Sequence, residues 1–119
     1  MTDVIPIKAL SDNYIWCLVN RANQCCVIVD PGEVDPVLSL LNTQKLRLTG
    51  ILITHHHWDH TTGIAGIVAH FDVPVYGPTR EPVAGMTRLL NGGDHIYLAE
   101  INLTFQILDI PGHTRGHIA

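Results

Sequence analysis

The stretch Thr54-His55-His56-His57-Trp58-Asp59-His60-Thr61-Thr62-Gly63 sets four histidines and an aspartate in six consecutive positions, 55–60. Imidazole and carboxylate both bind zinc, iron and manganese. The order of the residues decides which of them can share an ion. His55 and His57 lie two positions apart, so in an extended segment their side chains leave the chain on the same side, with His56 turned the other way. On a helix that spacing would separate the two rings. The pattern therefore differs from the helical H-E-x-x-H site, whose histidines are four apart. Asp59 and His60 follow where the chain turns toward a helix predicted from Thr62, and they can face a second point near the first. The positive end of that helix also favours a carboxylate. One loop offering two ligand pairs suits two metal ions about 3.5–4 Å apart, as in two-metal hydrolases.

A further ligand comes from far along the chain. Pro111-Gly112-His113-Thr114-Arg115-Gly116-His117 follows a predicted strand, and Gly112 permits the tight turn that would bring His113 inward. With His55 and His57 it makes three histidines and one open position, the pattern of a catalytic zinc. Water bound there has its pKa lowered to roughly 7, which gives a metal-bound hydroxide able to attack a carbonyl carbon. The candidate metal ligands are thus His55, His57, Asp59, His60 and His113, with Asp59 also read as catalytic. His56, His70 and His95 read as outside the site, the last two as surface residues, and His117 is left out of the ligand set. Trp58 either packs beside the metals or covers apolar surface. Metal-bound histidines usually donate their second ring nitrogen to a carboxylate or carbonyl. Asp30, at the end of a buried strand, is a candidate for that partner; the alternative is an aspartate that caps the turn before Pro31-Gly32.

These residues need a scaffold. Asp3–Ala9 and Tyr14–Asn20 read as strands around the turn signal Ser11-Asp12-Asn13. The apolar run 25–29 and the run 50–54 read as buried strands, the second leading straight into the histidines. Val34–Leu41 has helical spacing with Pro36 near its start, where proline is tolerated. Thr62–Phe71 reads as a second helix, 73–76 as a short strand, and 95–98 with 101–110 as a closing hairpin. Residues 77–93 give no clear pattern. Strands and helices mixed in this way point to an α/β chain of the α+β type, a mixed sheet with helices on one face.

At 119 residues and 46% hydrophobic the chain suits one small domain with a packed core. A net charge of −4 gives no reason to expect nucleic acid or an anionic membrane as partner. No stretch is long and apolar enough to span a bilayer, and the N-terminus lacks a signal-peptide pattern. Cys17, Cys25 and Cys26 are odd in number and include no C-x-x-C pair, so they read as buried free thiols in a reducing cytoplasm.

The run His55-x-His57-x-Asp59-His60, with Val29-Asp30-Pro31-Gly32 before it and Pro111-Gly112-His113-Thr114 after it, resembles the metallo-β-lactamase superfamily. Ser11-Asp12-Asn13-Tyr14-Ile15-Trp16, Thr54-His55-His56-His57 and the stretch 112–118 narrow the likeness to the glyoxalase II (hydroxyacylglutathione hydrolase) family, over essentially the whole chain. The resemblance implies an αββα sandwich, of which residues 1–119 would be the N-terminal part. It implies hydrolysis of S-D-lactoylglutathione to glutathione and D-lactate, a step of methylglyoxal detoxification. His55, His57 and His113 would hold the first of two divalent ions, zinc by preference with iron or manganese as alternatives; Asp59 and His60 would hold the second. The family's bridging aspartate, its last histidine and its glutathione-binding residues fall beyond position 119. The reading therefore expects a segment of a longer enzyme, with an apolar sheet face to be covered by the remainder or by another chain. The alternatives are a sulfur dioxygenase or lactonase of the same superfamily, or a non-catalytic metal-binding fragment.

Overall fold

A computed structural model describes residues 2–9, 13–54, 61, 63–79, 85–109 and 118. Its first sheet has the order β1 (Thr2–Ala9), β2 (Asn13–Asn20), β3 (Cys25–Val29), β4 (Arg47–Leu52), β5 (Val75–Pro78) and β6 (Arg88–Leu90). The first three strands pair antiparallel and the last three join in parallel. Helix α1 (Asp35–Thr43) crosses from β3 to β4, and α2 (Ile64–Val68) from β4 to β5. A second, antiparallel sheet is built from β7 (His95–Leu98) and β8 (Leu103–Gln106). The sheet is mixed, as expected.

The period of two in β2 explains the layering. Ile15, Cys17 and Val19 are buried, whereas the alternate residues Tyr14 and Trp16 are exposed. The inward set packs with Cys26, Ile28 and Val75 against Val37 and Leu41 of α1 and Ile64 and Ile67 of α2. On the other face Cys25 and Val27 meet Leu98 and Ile101, with Leu18, Leu52 and Phe105 around them. Helices, large sheet and small sheet thus form three layers. Cys25 and Cys26 point to opposite faces, and all three thiols are buried and free. Cys17 and Cys26 share a hydrogen bond that draws the Cys17 thiol below its ordinary range; the same bond, with burial, pushes Cys26 above it.

A bulge sets the parity of β4. Cys26 pairs with Leu48 but Val27 pairs with Gly50, so Thr49 is the extra residue, its hydroxyl donating to the Cys26 carbonyl at 3.1 Å. Leu48 lies in the helix-side core before the bulge, and Ile51 and Ile53 lie there after it, while Leu52 turns toward the small sheet.

Strands β4 and β5 are shifted from the runs 50–54 and 73–76 read in the sequence, and three further segments depart from it. Helix α1 runs two residues past Leu41 and stops at Lys45, whose φ is +53°. The Leu46 amide then bonds the Leu41 carbonyl at 2.9 Å and the Lys45 amide that of Asn42 at 3.3 Å, a Schellman ending without its usual glycine. Helix α2 is shorter than Thr62–Phe71. The strand expected over 101–110 is confined to β8, because Ile101 and Asn102 belong to the β7–β8 turn. Ile101 is 1% exposed, a loop residue inserted into the core, so its apolar side chain prolongs the strand pattern falsely. Strand β6 gave no sequence signal.

Candidate metal centre

Because β3 and β4 are parallel, both finish at the same sheet edge. There β3 delivers Asp30 and β4, continued by Ile53, delivers Thr54. Asp30 is 7% exposed and has φ +53°, a left-handed backbone that aspartate tolerates better than most residues. Its amide donates to the Leu52 carbonyl at 2.8 Å. Its carboxylate accepts from both groups of Thr54: the backbone amide at 2.8 Å on Oδ1 and the hydroxyl at 2.6 Å on Oδ2. A charged acceptor makes such bonds short and strong, and a buried carboxylate needs them.

The far side of the histidine run is fastened to the same turn. The Gly63 amide donates to the Pro31 carbonyl at 2.8 Å. A Cβ on Gly63 would lie 2.7 Å from that oxygen and 2.8 Å from the Glu33 carbonyl, so only glycine fits. The later segment arrives here too. Asp109 and Ile118 form an antiparallel bridge, and the Ile118 amide donates to the Thr54 carbonyl at 3.0 Å. Beneath Thr54 and Ile118 a cavity of about 200 Å³ opens between the sheets, its walls mostly apolar side chains such as Val29, Phe105 and Ile107.

The candidate ligands His55, His57, Asp59, His60 and His113 lie outside the described residues, as do His56, Trp58 and His117. The structure fixes their flanks: Thr54 and Gly63 around the first set, Asp109 and Ile118 around His113. Imidazole and carboxylate donors on two segments rooted at one sheet edge suit a borderline divalent ion. Among the described residues no group of three His, Cys, Asp or Glu side chains could hold a metal ion. His70 and His95 are exposed, as expected. Asp30 lies beside β4 as expected, and its described partner is Thr54; the imidazoles proposed for it lie outside the described residues. Thr54 itself escaped the sequence reading. Its signal is a hydroxyl at the end of an apolar run, directly before the candidate ligands.

A sequence profile of the metallo-β-lactamase superfamily matches residues 11–119. The chain belongs to this superfamily. Membership implies divalent metal binding. A hydroxyacylglutathione hydrolase of Nitrosomonas eutropha is 51% identical over 119 residues, which cover all of this chain and 46% of that protein. The chain thus spans about half the length of the curated relatives it matches. Among solved structures, the B3 metallo-β-lactamase BLEG-1 superposes with a TM-score of 0.82 at 24% identity, over 99% of this chain and 65% of its own. The protein TTHA1623, solved in a di-iron-bound form, superposes with a TM-score of 0.71 at 26% identity, over 97% of this chain and 65% of its own. These superpositions give the metallo-β-lactamase fold, of which the helix–sheet–sheet layers are a part. No helix among the described residues is long and apolar enough to cross a membrane.

Proposed function

We propose that the chain is the N-terminal part of a metal-dependent thioester hydrolase that converts S-D-lactoylglutathione to glutathione and D-lactate. The observation that carries this reading is the 51% identity, across every residue of the chain, to a hydroxyacylglutathione hydrolase. Fold alone would not support it, because one fold hosts many chemistries. His55, His57 and His113 hold one ion; Asp59 and His60 contribute to a second. The di-iron form of TTHA1623 supports a two-ion centre, and the histidine-rich donor set favours zinc. A bound divalent ion acidifies water and polarises the thioester carbonyl. The chain's part is to hold these ligands at one sheet edge, with Asp59 assigned a catalytic role besides metal binding. The thiolate departs readily, so no separate general acid is required. The remaining length of the enzyme, or another chain, supplies the glutathione contacts and covers the apolar sheet face. Buried free thiols suit a reducing cytoplasm.

The test is hydrolysis of S-D-lactoylglutathione by the zinc-loaded protein, alone and joined to the C-terminal half of the Nitrosomonas eutropha relative. Thioester loss in the joined form, reduced at least 100-fold by His57→Ala, is the expected result. Oxygen consumption with a glutathione persulfide, or lactone opening without thioester cleavage, would assign a different superfamily reaction.

A further inference from the structure

We propose that Thr54 is a positioning residue that couples the two ligand-bearing segments, so that neither set of metal ligands is placed independently of the other. The inference rests on the metal reading above and goes beyond it. The backbone amide, the hydroxyl and the carbonyl of Thr54 each make a hydrogen bond. Its amide and its hydroxyl donate to the two oxygens of Asp30 at 2.8 and 2.6 Å, and its carbonyl accepts the Ile118 amide at 3.0 Å. The residue directly before His55 is therefore locked to the end of β3 on one side. On the other side it is locked to the residue that closes the segment carrying His113. Asp30 gains further leverage from its own amide bond to Leu52, which fixes the carboxylate relative to β4. Pro31, next in the chain, holds Gly63 at the other end of the first ligand run. A rotation of Thr54 about the chain would break these bonds to Asp30 and Ile118 at once. The short hydroxyl–carboxylate bond restrains that rotation. Groups that orient metal ligands from behind typically change metal affinity 10- to 100-fold when removed.

The experiment measures zinc affinity on the full chain by competition with a chromophoric chelator, without turnover. Thr54→Val keeps the side chain's shape and removes the hydroxyl. It is expected to weaken zinc binding about 10-fold or more, and Thr54→Ser, which keeps the hydroxyl, to restore most of it. Leu41→Ala on α1 serves as control, a core truncation in a helix that carries no candidate ligand. Weakening by Leu41→Ala equal to that by Thr54→Val would reduce the effect to general loss of stability and overturn the proposal. Zinc binding indifferent to Thr54→Val overturns it too. Absence of zinc binding by the unmodified protein overturns the metal reading, and this inference with it. Hydrogen exchange on the unmodified protein gives a second test that needs no variant. Zinc should slow exchange of the Thr54 and Ile118 amides together; protection of Thr54 without Ile118 would refute the coupling.

Discussion

At the scale of single residues, Asp30 and Thr54 fix the flank of the candidate ligand run. Asp30 was legible as a buried-strand aspartate near the site, but its two bonds to Thr54 were not. They join residues 24 positions apart, and no local spacing records such a pair. The candidate ligands were the plainest signal in the sequence, because four histidines and an aspartate in six positions have few other uses. Gly63 was read only as the end of a histidine stretch. Its lack of a side chain turns out to be required by the Pro31 and Glu33 carbonyls, both backbone atoms that cannot swing away. Gly63→Ala should therefore destabilise the protein by about 1–3 kcal/mol, the usual cost of forcing atoms into a packed position. Urea unfolding would measure it, with a lowered midpoint at unchanged slope.

At the scale of elements, alternation and apolar runs gave β1 to β4 and the hairpin, because strand period and burial act within a few residues. Element ends were harder. Helix α1 closes on Lys45 in a left-handed conformation where glycine is the usual signal. Lys45→Gly should relieve that backbone and raise stability by roughly 0.5–1 kcal/mol, read as an increase in the thermal or urea midpoint. Strand β6 was invisible because a three-residue strand carries too little pattern, and only its parallel pairing to β5 defines it. The bulge at Thr49 was equally silent, yet it decides which face of β4 each later residue takes. Without the extra residue, Ile51 and Ile53 would leave the helix-side core.

At the scale of the whole molecule, the two faces of the large sheet differ. The helix side carries the larger buried cluster, whereas the small sheet covers only part of the other. Over β1 and β2 that face shows Val4, Tyr14 and Trp16, each at least 44% exposed. Apolar patches of this kind mark interfaces. The 119-residue chain is accordingly expected to self-associate in sedimentation velocity, with a concentration-dependent shift that Trp16→Lys reduces. A monomer at all concentrations would contradict this. The fold class was legible because mixed strands and helices admit few layerings. The extent of the small sheet was not, since its two strands pack through Leu98, Ile101 and Phe105 onto residues more than seventy positions earlier, such as Cys25 and Val27.

The Tyr14–Trp16 stack, with ring centroids 5.9 Å apart, also makes the molecule its own optical probe. The chain has two tryptophans, Trp16 on the uncovered sheet face and Trp58 inside the ligand run. Their emission therefore separates two events that other signals would merge. Light from Trp16 shifts to the blue when something settles on the sheet, whether a second copy or the rest of a longer enzyme. Light from Trp58, which lies in sequence between the candidate ligands His57 and Asp59, is expected to change on metal addition. A titration followed in both colours would say which happens first.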